Sequence, residues 1–545
     1  MWPCKNPGED SRLYSAVTAA RDFAIGLGIN IPTGKDSLSM TQNYKDQLVF
    51  SPGTVIISAS GEVSDVRKTV EPVIVNDSYT SLIYIDMSRD DFNLGGSSFA
   101  QIVNRLGDSV PTVKDPAYFA TVFNIVQELI VKDKIIAGHD ISAGGMITTL
   151  LEMCFSNTSG GLAINLSALD EKDTLKILFS QNPGIILQVK DEDEIAEILL
   201  ENGVSYLSIG HPVTERTLSI SNGSYNDQFD IDYLRDKWFI TSFNFDRRQC
   251  GPEGAKERFD CYIRHDLKIN LAGFKGTFKS LGISPDRRKK SGINAAIIRE
   301  KGVNGDREMA YALYLAGFDV KDVHMTDLIS ERENLEDISL IVFVGGFSNS
   351  DVLGSAKGWA GAFRYNKKAQ DALKNFYKRN DTLSLGVCNG CQLMAELNLI
   401  YPEAKTMPKL LHNKSGKFES AFLGVKILPN NSVMLGNMAG MELGIWVAHG
   451  EGRFILPEDE SKYHIPMKFS AHTYPANPNG SDYDAAGLCS EDGRHLVMMP
   501  HLERAYFPWQ GGYYPPDRRN DDITPWMKAF VNARKWIESA VDRSK

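Results

Sequence analysis

The chain has 545 residues, 42% of them hydrophobic and 23% charged, with a formal net charge of −10. At ~150 residues per domain this is too long for one core. The composition excludes a disordered chain, and the acidic balance leaves no global basic field for gripping nucleic acid.

No apolar run approaches the ~20 residues of a transmembrane helix, and "MWPCKNPGED" shows no basic region followed by an apolar stretch. The cytoplasm is therefore the expected compartment, with no membrane and no nucleic acid as partner. Seven scattered cysteines suit reduced thiols better than a disulfide framework.

In chain order, residues 1–85 read as a partial domain. A helical stretch "SRLYSAVTAARDFAIGLGI" precedes a polar loop "PTGKDSLSM" and a β-rich "VFSPGTVIISASGEV". From "SLIYIDM" onward the pattern becomes strand, glycine loop, helix: "IYIDMSRDDFNLGGSSFAQIVNRL", then "IIAGHDISAGGMITTLLEMCF", then "GIILQVKDEDEIAEILLENG". Residues 86–245 are accordingly expected to form an α/β or α+β domain. Residues 246–290 are charged and weakly periodic, and read as a linker. Residues 291–545 restart with a buried strand, a glycine-containing loop and an amphipathic helix, and two more apolar strands end in glycine turns, "ISLIVFVGGFSNSD" and "LSLGVCNGCQLMAEL". A mostly parallel sheet with helices on both faces follows, with its site at the carboxyl ends of the strands.

Cys388 and Cys391 form a C-x-x-C at one such end, which suits either a redox dithiol or a single nucleophile. Zinc would lack ligands, because no second cysteine or histidine pair lies nearby at metal spacing. The nucleophile reading explains more of the local sequence. Gly386 and Gly390 flank Cys388 by two residues on each side and permit a tight strand-to-helix turn, while Cys391 falls one turn into the helix as a small buried residue. A base and an orienting group are then required. "HLVMMPHLERAYFPWQGG" supplies His501 and Glu503, which in an extended segment would project to the same side. Backbone N–H groups near Gly346 and Phe347 offer an oxyanion hole.

"GVCNGCQLM", "GGFSNSD", "HGEGRF" and "MMPHLERAYFPWQ" closely resemble the class I glutamine amidotransferase domain, of flavodoxin-like fold, of the large-type phosphoribosylformylglycinamidine synthase family. The resemblance implies that Cys388 attacks the glutamine amide, His501 shuttles the proton and Glu503 orients His501. It places Gly346 and Phe347 at the oxyanion hole, Gln392 near the glutamine pocket, and His449 of "HGEGR" on another wall.

Upstream, "WPCKNPGEDSRLYSAVTAARDFAIGLGINIPTGKDSLSM", "NLGGSSFAQ" and "GHDISAGGMITTLLEM" resemble the second synthetase half of that family, of aminoimidazole ribonucleotide synthetase type. By that likeness Asp140 and Ser142 would contact magnesium and the phosphates of ATP or ADP, with Asp140 the metal ligand and Gly95 and Gly96 presenting N–H groups to phosphate. Three positions depart from the family pattern: Ala143 replaces an aspartate, Gln181 an acidic residue and Lys417 an arginine.

The implied function is part of purine biosynthesis. Glutamine-derived ammonia would feed the ATP-dependent conversion of formylglycinamide ribonucleotide to formylglycinamidine ribonucleotide, with that substrate's site and the catalytic ATP site expected in a missing N-terminal half. This chain would carry the glutaminase half-reaction. The alternatives are a stand-alone cysteine hydrolase of the same fold and a non-catalytic binding fragment.

Overall fold

The computed structural model describes residues 1–264, 267–404 and 406–544, the last four by backbone alone. The chain divides into two compact units, Met1–Phe239 and Ile240–Lys545.

In the first unit, the helix Glu9–Leu27 ends at Gly28, whose left-handed backbone (φ 70°) returns its N–H to the Ala24 and Ile25 carbonyls. Only Ala24 of this helix is buried. The hairpin of β1 (Thr41–Tyr44) and β2 (Gln47–Phe50) leaves Tyr44, Leu48, Val49 and Phe50 exposed. The β-rich expectation for residues 49–63 holds only as far as Phe50. Val55, Ile56 and Ile57 are exposed outside any strand, since β-branched residues make a strand only where a neighbouring backbone offers a ladder.

The rest of the unit is a sheet built from β3 (Ser81–Asp86), β4 (Ile135–Ile141), β5 (Gly161–Asn165), β6 (Gly184–Val189), β7 (Leu207–Val213), β8 (Thr217–Asn222) and β9 (Tyr225–Asp230). The order is β4-β6-β3-β7-β5-β8-β9, antiparallel throughout except for β5 with β8. Strand alternation feeds two cores. Leu82 and Tyr84 join the core that includes the helix Gly145–Phe155, and Ile83 and Ile85 join the one that includes the helices Pro116–Val131 and Glu192–Glu201.

Residues 246–290, read as a linker, begin inside the helix Ile231–Gln249 and contain a second helix, Gly251–Asp260. The few apolar positions there hid this. The pair is held by a ring contact between Phe243 and Phe259, centroids 4.9 Å apart, and by Asp246, largely buried, which meets Arg258 at 3.3 Å and Lys417 at 3.5 Å. Lys417, standing at the usual arginine, therefore keeps an ion pair.

The second unit contains β10 (Asn294–Arg299), β11 (Asp319–His324), β12 (Leu340–Phe343), β13 (Leu383–Val387), β14 (Lys409–Leu411), β15 (Glu419–Ile427), β16 (Glu442–His449), β17 (Arg453–Ile455), β18 (His464–Phe469), β19 (Ala485–Cys489) and β20 (His495–Met498). Nine of these form one sheet in the order β11-β10-β12-β13-β20-β19-β18-β15-β16, and β14 pairs with β17 apart from it. The first five strands in that order are parallel, as expected. The remaining pairings are antiparallel, which corrects the expectation of a mostly parallel sheet. The difference is visible in β16, where buried and part-exposed residues alternate as they do in strands with one covered face. Residues just past β12, β13, β16 and β20 carry the chemistry considered next.

Candidate active site

Cys388 follows β13 and caps the helix Asn389–Glu396 with φ 52° and ψ −107°, a backbone few side chains tolerate. The glycine reading of this turn has a concrete basis: a Cβ on Gly390 would lie 2.0 Å from the Phe343 carbonyl oxygen, so the helix can approach β12 only without a side chain there. Cys388 is 5% exposed and its Sγ lies 3.6 Å from the Ala448 carbonyl. Cys391 is fully buried, and burial pushes its thiol well above the usual range.

His501 and Glu503 lie beyond β20, but not in an extended segment. His501 precedes a tight turn, Leu502–Arg504, and its Nδ1 still meets Glu503 Oε1 at 2.7 Å. The pair is buried, 2% and 0% exposed in the side chains. The His501 backbone N–H donates to the Trp446 carbonyl at 2.9 Å, which brings the imidazole beside the end of β16.

Burial alone would lower the His501 pKa. The Glu503 carboxylate and the Cys388 sulfur outweigh it and raise the value to about 10. Among the described residues Nε2 finds no partner of good hydrogen-bond geometry, yet the sulfur is near enough to act on the ring both as a charge and as an acceptor. Gly345 shows how close the two groups are. A methyl placed on it would lie 2.7 Å from His501 Cε1 and 3.3 Å from Cys388 Cβ. Sulfur, imidazole and carboxylate thus converge from segments far apart in the sequence.

Gly346 has φ 132° and bridges to Val303. The Phe347 N–H, read as an oxyanion donor, donates instead to the Gly302 carbonyl at 2.9 Å. Among the described residues no acceptor takes the Gly346 N–H, and the Asn389 N–H, at a helix N-terminus, has none within its own helix.

Gln392 donates from Nε2 to the Glu451 carbonyl at 2.7 Å and so ties the helix after Cys388 to the His449–Gly452 turn. His449 is 2% exposed. Burial first, and then the nearby His501 charge, lower its pKa to about 3, and neither ring nitrogen has a partner among the described residues.

Two residues of this site escaped the sequence reading although both stand inside quoted motifs. Asn389, fully buried, accepts from the Ser348 N–H at 3.2 Å, and its Nδ2 lies 3.0 Å from Gln392 Oε1 and 3.3 Å from Asp351 Oδ1. Asn413 of "HNKSGKFES" clasps the His449–Gly452 turn. Asparagine next to a catalytic motif has no periodic signature. Its carboxamide becomes informative only when the loops it joins are seen together.

The first unit gathers less. Asp140, on β4, has a 73% exposed side chain whose carboxylate, among the described residues, meets only His139 Nδ1, at 3.5 Å, while His139 Nε2 reaches Glu152 at 3.2 Å. Ser142 accepts the Gly145 N–H through its backbone carbonyl, and Ala143 precedes the helix Gly145–Phe155. The expectation for Gly95 and Gly96 is corrected: their N–H groups donate to the Ser109 and Leu106 carbonyls, both at 2.7 Å, so the loop closes on itself rather than presenting donors to phosphate. Gln181, with its carboxamide turned to satisfy both, accepts from the Ser98 and Gly144 N–H groups at 2.8 and 2.9 Å. No three His, Cys, Asp or Glu residues converge as a metal site among the described residues. These side chains do not fit the implied magnesium–nucleotide group.

Three family models match parts of this chain. Residues 1–62 match the FGAR-AT PurM_N-like domain, residues 87–221 the C-terminal domain of AIR synthase related proteins, and residues 293–537 the CobB/CobQ-like glutamine amidotransferase domain. A probable chloroplastic/mitochondrial phosphoribosylformylglycinamidine synthase of Arabidopsis thaliana is 38% identical over 565 residues, covering 99% of this chain and 40% of its own length. The Homo sapiens phosphoribosylformylglycinamidine synthase is 38% identical over 572 residues, covering 98% and 42%. The chain therefore spans about two fifths of the length of these relatives. A solved structure described as PurLQS from Thermotoga maritima covers 46% of this chain and 99% of its own at 25% identity, with a TM-score of 0.35. Among the described residues no helix is long and apolar enough to cross a membrane.

Proposed function

We propose that this chain, a portion of the large-type phosphoribosylformylglycinamidine synthase family carrying a glutamine amidotransferase domain, hydrolyses glutamine at Cys388. The sulfur attacks the side-chain carbonyl carbon of glutamine. As the carbon–nitrogen bond breaks, His501 gives its proton to the leaving nitrogen and ammonia departs. The glutamyl thioester is then cleaved by a water that His501 deprotonates, which yields glutamate and returns the thiol. Glu503 fixes the tautomer and direction of the imidazole. Its charge is the main reason the ring stays protonated at neutral pH, the state needed to deliver that first proton.

The observation that carries this reading is the buried 2.7 Å His501–Glu503 contact beside a cysteine held in a left-handed turn. The developing oxyanion would be met by the N–H groups of Asn389 and Gly346. The Phe347 N–H, engaged with the Gly302 carbonyl, is not one of these donors.

In the longer proteins of the family, the ammonia would displace the ATP-activated formamide oxygen of formylglycinamide ribonucleotide to give formylglycinamidine ribonucleotide, glutamate, ADP and phosphate. On this reading the chain would serve purine biosynthesis as the glutaminase part of a ligase, the nucleotide chemistry falling to other residues of the longer protein. The test is glutamate release from glutamine. The purified chain should show it and Cys388→Ala should not, and equal rates in the two would refute the assignment.

A further inference from the structure

The wall of the site opposite the nucleophile helix is the turn His449–Gly452, and one buried side chain holds nearly all of it. Asn413 is 3% exposed. Its Nδ2 donates to the His449 carbonyl at 2.8 Å and to the Lys417 carbonyl at 3.0 Å, its Oδ1 accepts from the Gly452 N–H at 3.0 Å, and its own backbone N–H donates to the Gly450 carbonyl at 2.9 Å. The carboxamide therefore grips both ends of the turn, and the backbone grips its middle. The turn in turn touches the chemistry. The Ala448 carbonyl, just before it, lies 3.6 Å from Cys388 Sγ, and the Glu451 carbonyl accepts from Gln392, one helical turn after the nucleophile. The turn also carries the His449 imidazole, buried, with neither nitrogen partnered among the described residues. A neutral imidazole in that state is costly unless a ligand uses it.

We propose that Asn413 is a positioning residue for the glutamine pocket: by clamping His449–Gly452 it sets the distance between that wall and Cys388, and so governs how tightly glutamine is held. This rests on the glutaminase reading above. Asparagine is needed because the site asks one side chain to donate twice and accept once. Aspartate, nearly the same shape, would turn an acceptor toward the His449 and Lys417 carbonyls, leaving them unpaired and repelling them.

The test uses the full chain and three readouts: KM and kcat for glutamine, the rate of Cys388 alkylation by iodoacetamide across pH, and thermal stability. Asn413→Asp should raise KM on the order of tenfold or more, because a wall displaced by ångströms loses substrate contacts, while the pH profile of alkylation stays that of the wild type. Asn479→Ala, which removes a single 2.8 Å bond to the Gly452 carbonyl, should give a smaller rise of the same kind and keeps the test open should Asn413→Asp not fold. An unchanged KM in a folded variant, or an activity loss that follows only the fraction folded, would overturn the positioning role. A wild-type chain that alkylates at Cys388 without releasing glutamate would overturn the glutaminase reading itself, and with it this inference. The two failures are told apart because one appears in the variants and the other in the wild type.

Discussion

The Cys388 turn and the Asp140 turn look alike in sequence, each a strand running through a glycine-flanked motif into a helix, and the folded chain treats them very differently. Around Cys388, three parallel strands and β16 end together, so a sulfur, an imidazole and a carboxylate from distant segments meet at 5% exposure or less. Around Asp140, the side chain stands 73% exposed with one histidine beside it, and the nearby glycine loop spends its N–H groups on its own carbonyls. A motif nominates a residue. Convergence of partners and exclusion of water give it a job, because only in a desolvated setting do charge and hydrogen bonding move protons effectively.

The comparison can be broken most sharply by substitution at the first turn. Cys388→Ala should abolish glutamate release, whereas Cys391→Ala should leave kcat within a few-fold and lower stability by about 1 kcal/mol, read by denaturant unfolding. Comparable losses in both would revive a dithiol mechanism. Glu503→Gln, which keeps the shape and removes the charge, should reduce kcat on the order of 10³-fold with little change in KM, measured by steady-state kinetics. A change confined to KM would mean that Glu503 binds substrate rather than orients His501.

Two buried histidines of the second unit predict a pH signature. His449 and His495 have folded pKa values lowered to about 3 and about 4, chiefly by burial. The unfolded chain takes up protons at these positions near pH 6.5, so their contribution to stability is complete above that pH and is lost as pH falls toward 4 and then 3. Each histidine contributes up to about 1.4 kcal/mol per pH unit in that window. His501 runs the other way: its stabilisation is complete below about pH 6.5 and is lost as pH rises through about 10. Unfolding free energies at pH 7 and 5 should therefore fall with acid, and His495→Gln should make that fall shallower. An identical slope would contradict the buried neutral state of His495. The smallest effect is expected at the second turn. Magnesium–ATP should shift the melting temperature of the chain by less than ~1 °C, with or without Asp140→Asn. A rise of several degrees that this substitution removes would erase the difference between the turns.

Much of this was legible beforehand where chemistry and backbone agree locally. Gly386 and Gly390 around Cys388 announced the turn, and the strand and helix periods announced β3, β4 and β6 of the first sheet and β10, β12 and β13 of the second. Three things were not legible. The antiparallel half of the second sheet depends on which strands become neighbours, which alternation in one strand does not specify. Asn389 and Asn413 act by joining loops that are distant in sequence. Gly95, Gly96 and Phe347 were read as donors from glycine content, but whether an N–H is available depends on where the nearest carbonyl folds. The Phe347 N–H is engaged with Gly302, and the donor role passes to Asn389 and Gly346.

The most direct test of the central claim is mass spectrometry of the intact chain after exposure to a diazoketone analogue of glutamine. One adduct should form, on Cys388; excess glutamine should prevent it, and His501→Ala should slow it strongly. Labelling of any other cysteine in its place, or labelling that glutamine does not compete away, would contradict a glutamine-binding nucleophile at the end of β13.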